Sequence, residues 1–198
     1  MTVGIIGAGR IGRAVAILSL RAGRSVVISN SQGPDSLASL VRELGSGVRA
    51  STVQDAAAQE LVVLAVPWIN VPEAIADVPP WNGRILVDAT NAAIMPDVRP
   101  ADLGGKASSE VVAQLALGAR VVKGFNTLLA AVLASGPRVS GGQRVLFFSG
   151  DDALAKKAFL EFISSAGFAG IDLGMLANSH VQQFPGGPLA AINFIRLP

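Results

Sequence analysis

Short apolar runs rich in β-branched residues alternate along the chain with longer stretches in which apolar residues recur at helical spacing. The short runs predict strands over residues 3–6, 26–29, 48–50, 61–66, 85–88, 120–123, 144–149 and 168–173. The longer stretches predict helices over residues 11–22, 36–44, 71–76, 109–117, 127–134 and 151–166. Residues 61–66 are apolar at every position, which is typical of a parallel strand that is buried on both faces.

This alternation of strands and helices predicts an α/β fold with a doubly wound, mainly parallel sheet and a short C-terminal extension. Residues 90–107, which contain Pro, Gly and Asp, form the longest stretch without a predicted element. No internal repeat, low-complexity segment or linker divides the sequence. We therefore expect one compact unit.

Composition narrows the classes of function. Hydrophobic residues make up 51% of the chain and charged residues 15%, which is typical of a globular protein with a substantial core. The absence of cysteine excludes a disulfide framework, a thiolate metal site and a cysteine nucleophile. The net charge is only +2 and the basic residues are scattered, unlike a nucleic-acid-binding surface. The apolar runs are too short to span a bilayer, and no metal cluster is visible, so we expect a cytoplasmic protein with a small-molecule partner.

A glycine-rich turn, Gly7-Ala8-Gly9-Arg10-Ile11-Gly12, follows the first predicted strand and precedes the first predicted helix. In this G-x-G-x-x-G pattern the first glycine permits a tight turn and the second lets a pyrophosphate approach the backbone. The third lets the helix pack closely on the strand, and the helix N-terminus offers free N–H groups to phosphates. The placement predicts a Rossmann-type dinucleotide site rather than an ordinary strand–helix turn.

The end of the second predicted strand, "ISNSQGP" at residues 28–34, lacks the acidic residue that accepts a ribose 2′-hydroxyl in NAD-binding proteins. The neutral donors at this place are Ser29, Asn30, Ser31 and Gln32. The turn at Gly33 can direct N–H groups at an anion, and Arg10 is a candidate charged partner for a phosphate. We therefore expect NADP(H) in preference to NAD(H); the alternative is that these are ordinary solvated turn residues.

Several stretches in fixed order resemble one family: "IIGAGRIG", "ISNSQGP", "VVLAVPW", "RILVDATN", "ARVVKGFNT", "FFSGDDALAKKAFLEFISSAGF" and "DLGMLANSH". They are similar to the NADPH-dependent deazaflavin (coenzyme F420) reductases, also called F420-dependent NADP oxidoreductases. They are equally similar to the cytosolic oxidoreductase domain of the six-transmembrane metal reductases. The resemblance implies NADP(H) as cofactor, a diffusible hydride acceptor such as F420, FMN or FAD, and a homodimer.

The resemblance also implies different roles for the N-terminal and C-terminal parts of the chain. Residues 1–122 would form the NADP-binding Rossmann core, and residues 123–198 would continue the same unit and form the acceptor side of the crevice. The positions implied at the cofactor are Ala8, Gly9, Arg10 and Ile11 at the pyrophosphate, Asn30 and Ser31 at the 2′-phosphate, Ala65, Val66 and Pro67 beside the cofactor, and Asn126 and Ala130 where the nicotinamide meets the second ring. Two residues depart from the family: Gln32 stands where relatives usually have Arg, and Asn126 where deazaflavin enzymes tend to have His.

The sequence offers few candidate catalytic residues, and the two that we consider are Lys123 and Asn126. Lys123 ends a predicted strand, where it would either face the crevice as a proton donor or reach solvent, and we expect the second arrangement. Asn91 is expected at the nicotinamide amide or its ribose. His180 is the sole histidine and has no Ser or Cys partner for a triad. Two further functions stay open: NADPH-dependent reduction of a small carbonyl or imine, and a non-catalytic NADP(H)-binding sensor or subunit.

Overall fold

The computed structural model describes all 198 residues, Met1 to Pro198, and its first half alternates strands with helices. The strands of this half are β1 (Thr2–Ile6), β2 (Ser25–Ser29), β3 (Val48–Ala50), β4 (Leu61–Leu64) and β5 (Ile85–Asp88). The helices are α1 (Arg10–Arg21), α2 (Ala38–Leu44), α3 (Val53–Ala57) and α4 (Val71–Ala76), with 3₁₀ turns at Pro34–Leu37 and Trp68–Asn70.

The second half extends the same arrangement and adds two small antiparallel pieces. Its strands are β6 (Ala93–Ile94), β7 (Arg99–Pro100), β8 (Arg120–Lys123), β9 (Arg138–Val139), β10 (Gly142–Gly150), β11 (Ala169–Asp172) and β12 (Ile195–Arg196). Its helices are α5 (Ser108–Leu115), α6 (Ala130–Ser135) and α7 (Ala153–Ser165), followed by a 3₁₀ helix at Leu176–Gln182.

The central sheet has the strand order β11-β10-β8-β5-β4-β1-β2-β3, with β9 and β12 attached to β10. The strands from β3 to β8 in this order are parallel, whereas β10 is antiparallel to β8. The predicted α/β fold with a mainly parallel sheet is therefore confirmed. Because β1 lies between β2 and β4, the chain leaves the sheet centre in both directions, and a crevice opens at the carboxyl end of β1.

Apolar layers cover both faces of this sheet. Ile5 and Val63 belong to the layer that packs on α1 and α7, and their neighbours Ile6 and Val62 belong to the layer that packs on α3, α4 and α5. All four residues of β4 are buried, as predicted for a central parallel strand. Each fully buried Val or Ile contributes about 1.5–3 kcal/mol through removal from water. None of the helices combines the length and the apolar character that a membrane crossing requires.

The sheet runs without interruption from the N-terminal part of the chain into the C-terminal part. β8 contains residues 120–123, and β10 pairs with it through Ser149–Lys123 and Gly150–Val122. The residues after 122 therefore contribute strands to the sheet that carries the glycine loop. The division of roles at residue 122 stays a prediction.

Two predicted elements have different limits in the structure. The strand predicted over residues 61–66 ends at Leu64, because the chain turns toward Pro67, which has no amide hydrogen for the sheet. The helix predicted over residues 127–134 begins only at Ala130, because Leu129 has an extended backbone with ψ 142°.

Several short elements were not predicted, among them helix α3, the hairpin strands β6 and β7, and the strands β9 and β12. Helix α3 follows Thr52, whose hydroxyl accepts the N–H of Asp55 at 3.1 Å and so caps the helix. The stretch 90–107, predicted to be irregular, contains the hairpin of β6 and β7. These elements are shorter than the windows over which hydrophobic periodicity becomes visible.

Candidate cofactor and acceptor site

The glycine-rich loop between β1 and α1 gives each of its three glycines a different geometry. Gly7 has φ +107°, and a Cβ atom there would overlap the carbonyl oxygen of Ala65. At Gly12 a Cβ atom would overlap the carbonyl oxygen of Gly7, so glycine is needed for α1 to pack this closely on β1. Gly9 has φ −73°, and no heavy atom lies within 4 Å of where its Cβ would stand. The space beside Gly9 is therefore left open by the protein.

The N-terminus of α1 points free N–H groups at this open space. Gly9 is the N-cap, no side chain caps the helix, and the first turn contains no acidic residue. The N–H of Arg13 bonds to the carbonyl of Gly9 at 2.9 Å, whereas the N–H groups of Arg10, Ile11 and Gly12 have no partner within the chain. Free N–H groups and the positive end of the helix dipole attract an anion. The loop therefore fits the pyrophosphate of a dinucleotide.

A cavity of about 520 Å³, here called the first cavity, opens beside this loop at the carboxyl ends of β1, β2 and β4. Its volume is typical of a ligand-binding pocket. The predicted cofactor residues that line it are Gly7, Ala8, Gly9, Asn30, Ser31, Ala65, Val66 and Pro67. The lining residues that were not predicted are Ile6, Val53, Gln54, Asn70, Glu73, Ala74 and Asp77. Most of the second group belongs to α3, α4 and their flanks, for which the sequence carries no ligand signature.

The turn after β2 brings only part of the predicted donor set to the first cavity. Asn30 and Ser31 line the cavity, and Asn30 Oδ1 accepts the N–H of Gln32 at 3.1 Å. Ser29 is a correction, because its side chain is fully buried and its hydroxyl donates to the carbonyl of Ile5 at 3.1 Å. Gln32 is exposed and does not line the cavity. No Lys or Arg lines it either, so neutral groups would have to hold a 2′-phosphate there.

A second cavity, of about 390 Å³, begins where the glycine loop passes into α1. Eight of its twelve lining residues are hydrophobic, and Arg10 is the sole charged one. The predicted site residues that line it are Arg10, Ile11, Asn91, Asn126 and Ala130. The others are Ala89, Thr127, Leu128, Leu129, Ala131, Phe184 and Ala191. Because the glycine loop continues from one cavity into the other, a dinucleotide extended across the loop would reach both.

Arg10 lies at a different place from the one predicted. It was expected to support a 2′-phosphate near Asn30 and Ser31, but those residues line the first cavity and Arg10 lines the second. Arg10 is the first residue of α1, and it shares the second cavity with Ala130 and Ala131 at the start of α6. Arg10 therefore lines the cavity that faces α6.

Asn91 and Asn126 form a reciprocal pair at the second cavity. Asn91 Nδ2 donates to the carbonyl of Asn126 at 3.0 Å, and Asn126 Nδ2 donates to Asn91 Oδ1 at 3.0 Å. Asn126 Nδ2 also donates to the carbonyl of Gln182 at 2.7 Å, and the N–H of Phe184 donates to Asn91 Oδ1 at 2.9 Å. These contacts fix both amide orientations. Asn126 is 5% exposed, and its Oδ1 is a buried acceptor without a partner.

Lys123 lies in the interior at the end of β8. Its side chain is 0% exposed, so the expectation that it reaches solvent is wrong. Its ammonium donates to Asp88 Oδ2 at 3.0 Å, to the carbonyl of Thr90 at 2.6 Å and to the hydroxyl of Ser108 at 3.2 Å. These bonds use all three ammonium protons, and none is left for a substrate. Burial lowers the pKa of Lys123, and the neighbouring Asp88 carboxylate opposes that shift.

Asp88 supplies the negative charge that this buried ammonium needs. The two residues lie side by side on the parallel strands β5 and β8. Asp88 Oδ2 also accepts the hydroxyl of Ser109 at 2.6 Å, and its Oδ1 accepts the N–H and the hydroxyl of Thr90 at 2.9 and 2.7 Å. A buried ion pair is tolerated when its remaining hydrogen-bonding groups are satisfied in this way. The cluster also holds Thr90, the residue before Asn91, in place.

The segment that follows the 3₁₀ helix Leu176–Gln182 completes the second cavity. Gln182 is fully buried and donates to the hydroxyl of Ser149 at 3.2 Å, and Gln183 accepts the hydroxyl of Ser108 at 2.6 Å. Phe184 then lines the cavity. Residues 123–198 were expected on the acceptor side of the crevice, but none of these three residues was named individually, because their partners are dozens of positions away and no local pattern connects them.

The fold and the two cavities define a Rossmann-type dinucleotide-binding protein with a largely apolar second site beside the dinucleotide loop. Residues 2–92 match the family model described as "NADP oxidoreductase coenzyme F420-dependent", and the chain belongs to this family of NADP-dependent oxidoreductases. The family resemblance predicted from the sequence is thereby confirmed.

Individual proteins are similar to this chain over most of its length. Hypothetical protein SMa0349 from Sinorhizobium meliloti is 46% identical, with a TM-score of 0.93 over 99% of this chain and 96% of that one. A protein described as an F420-dependent NADP-reductase, from Arthrobacter sp. FB24, is 28% identical, with a TM-score of 0.79 over 90% of this chain and 87% of its own. Metalloreductase STEAP3 of Rattus norvegicus is 31% identical over 186 residues, which are 92% of this chain. The chain spans only 36% of the length of that metalloreductase.

Proposed function

We propose that the protein is an NADP(H)-dependent oxidoreductase that transfers hydride between the nicotinamide and a flavin or a deazaflavin of the F420 type. The observation that carries the proposal is the second cavity. It adjoins the dinucleotide loop, eight of its twelve lining residues are hydrophobic, and it holds no Asp, Glu, His or Lys. An apolar cavity of this kind suits a flat ring placed beside the nicotinamide.

Hydride transfer between two stacked rings depends on position and on exclusion of water more than on acid–base groups. NADPH supplies a hydride, the acceptor ring gains its electron pair and proton, and NADP⁺ remains. The residues of this chain would bind and orient the rings. Ile11 and Leu128 would exclude water, and the Asn91–Asn126 pair would present a fixed amide surface at the cavity wall.

The neutral donors at the first cavity support NADP(H) as the dinucleotide. Asn30 and Ser31 face that cavity, and no acidic residue stands at the end of β2 to repel a 2′-phosphate. The names of the F420-dependent NADP-reductase and of the matching family point to the same cofactor. The proposal that the acceptor is a flat ring rests on the apolar character of the second cavity.

Reduction of a small carbonyl or imine is less well supported. That chemistry needs a proton donor near the substrate, and Lys123 was its candidate. All three protons of the Lys123 ammonium are held by Asp88, Thr90 and Ser108. The sole histidine, His180, lies outside both cavities.

Turnover assays test the proposal directly. We would mix the purified protein with NADPH and, separately, with F420, FMN, FAD and riboflavin under anaerobic conditions, and follow the absorbance of the reduced nicotinamide. Oxidation of NADPH with at least one ring acceptor is expected. A panel of small ketones and imines provides the comparison. Turnover confined to that panel would support the carbonyl or imine reductase, and tight NADPH binding without any turnover would support a sensor.

A further inference from the structure

Arg10 is the one charged residue at a cavity that is otherwise apolar or neutral. Two other arginines of α1 have hydrogen-bond partners in the protein: Arg13 donates to the carbonyl of Ala8 at 3.2 Å, and Arg21 donates to the carbonyl of Ala134 at 3.0 Å. The side chain of Arg10 is exposed and takes part in none of the ion pairs of the structure. Its positive charge is therefore not neutralised by the protein.

The guanidinium constrains the chemistry of whatever fills the second cavity. Arginine stays charged at any physiological pH, and its planar group binds phosphate or carboxylate through two parallel N–H bonds. The remaining lining of the cavity, including Ile11 and Leu128, suits an uncharged ring. A ligand that matches both features is amphipathic, with a flat apolar part and an anionic group at its edge.

Asn126 adds an independent requirement. Its Nδ2 faces two acceptors, Asn91 Oδ1 and the carbonyl of Gln182, so its Oδ1 must point elsewhere. That oxygen is buried and has no partner, although Asn126 lines the second cavity. A buried acceptor without a hydrogen-bond donor destabilises the protein, and an N–H group of a bound ring that reached Asn126 Oδ1 would satisfy it. A ring acceptor with an N–H group at its edge would therefore suit this wall of the cavity.

The 2′-phosphate of NADP(H) is the competing anion for Arg10. The neutral donors predicted for that phosphate, Asn30 and Ser31, line the first cavity, and Arg10 does not. The pyrophosphate has its own donors in the free N–H groups at the start of α1. Each anion of the dinucleotide therefore has candidate donors other than the Arg10 side chain.

We propose that Arg10 is a specificity-determining residue that selects a phosphate-bearing flavin or deazaflavin as acceptor over the same ring without phosphate. This inference rests on the proposed function, because it assumes that a ring acceptor fills the second cavity. It names the class of that acceptor: a tricyclic ring with an N–H group and a phosphate on its side chain. F420 and FMN belong to this class, whereas riboflavin does not.

Matched ligand pairs test the role of Arg10 by binding alone. We would titrate FMN against riboflavin, and F420 against its phosphate-free deazariboflavin, by calorimetry in the presence of NADP⁺, which cannot donate a hydride. The proteins compared are the wild type, Arg10→Gln, Arg10→Lys and the control Arg42→Gln, at an exposed arginine of α2 that lines neither cavity. The same proteins would then be assayed for turnover with NADPH.

In the wild type the phosphate-bearing member of a pair should bind about 10- to 150-fold more tightly, as expected of a charge-assisted hydrogen bond. Arg10→Gln should abolish that preference without changing the affinity for the phosphate-free ring, and Arg10→Lys should keep part of it. Arg42→Gln should behave as the wild type.

Two results would overturn the inference about Arg10. One is equal wild-type affinity for both members of each pair. The other is an Arg10→Gln variant that loses NADPH affinity and keeps its preference for phosphate-bearing rings, because Arg10 would then serve the cofactor. Failure of the proposed function has a different signature: no ring acceptor is reduced by NADPH, whether or not it carries phosphate.

Discussion

Replacement of Gly9 by alanine separates ligand binding from folding more cleanly than any other change in the glycine loop. Gly9 has φ −73° and ψ −168°, which alanine adopts without strain, and the added methyl would contact no heavy atom within 4 Å. Alanine lowers the entropy of the unfolded chain but is a poorer N-cap than glycine, and these effects oppose each other. The free energy of unfolding of the ligand-free protein should therefore change by no more than about 0.5 kcal/mol.

The added methyl should change the stability of the protein only when the dinucleotide is bound. NADPH at about a hundred times its dissociation constant stabilises the wild type by about 2.7 kcal/mol. A methyl forced into a filled site costs about 1–3 kcal/mol, which raises the dissociation constant about 5- to 160-fold. At the same NADPH concentration the variant would keep about 0.3–1.8 kcal/mol of the stabilisation. The increase in melting temperature should fall from about 5–11 °C in the wild type to about 10–65% of that value.

Thermal unfolding with and without NADPH measures both quantities in one experiment. Gly7→Ala and Gly12→Ala are the matched controls, because a Cβ atom at either position overlaps a backbone carbonyl. Both controls should unfold at lower temperature even without ligand, whereas Gly9→Ala should not. A Gly9→Ala protein with the full NADPH-induced increase would refute the placement of the pyrophosphate at this loop. A large decrease in the melting temperature of ligand-free Gly9→Ala would refute the conclusion that the space beside Gly9 is open.

Three further results are expected. Ser31→Asp adds a carboxylate at the first cavity, where repulsion of about 1–4 kcal/mol should weaken NADPH binding at least about 5-fold more than NADH binding. Equal weakening of both would argue against a 2′-phosphate there. Asp88→Asn leaves the Lys123 ammonium buried without a counter-charge and should lower the free energy of unfolding by about 3–5 kcal/mol in urea titrations. Adding Lys123→Met should restore part of that loss, and the absence of any rescue would contradict the pairing. Between the lowered pKa of Lys123 and its ordinary value of 10.5, the unfolded chain binds more protons than the folded one. The free energy of unfolding should therefore gain a contribution from Lys123 that rises with pH in this window, and Lys123→Met should lack it.

Local patterns were sufficient for most of the fold. The β-branched runs located the parallel strands, and burial of β4 on both faces followed from its uninterrupted apolar sequence. The features that were missed depend on single caps and on short pairings. Helix α3 rests on one Thr52 cap, and the start of α6 is delayed by the extended backbone of Leu129. Hydrophobic periodicity does not register features of this size.

The site was predictable where its residues are consecutive. The glycine loop and the Asn30–Ser31 turn lie within single stretches, and both reach the first cavity. Ser29 was misassigned because a strand-end hydroxyl looks the same in sequence whether it faces a ligand or, as here, the carbonyl of Ile5. The Asp88–Lys123 pair left a readable signal: both residues end predicted parallel strands, and aligning those strand ends would have placed them side by side. Phe184 left none.

The second cavity is shaped by hydrogen bonds that join three distant parts of the chain. Lys123 holds the carbonyl of Thr90, which fixes the residue that precedes Asn91. Asn91 in turn accepts the N–H of Phe184 and the amide of Asn126, so strand ends and C-terminal segment are fastened together at one point. A fixed lining of this kind suits a reaction whose rate depends on how two rings are held. In the proposed reaction Lys123 would therefore be a positioning residue, whose buried charge contributes to the cavity through backbone geometry rather than through proton transfer.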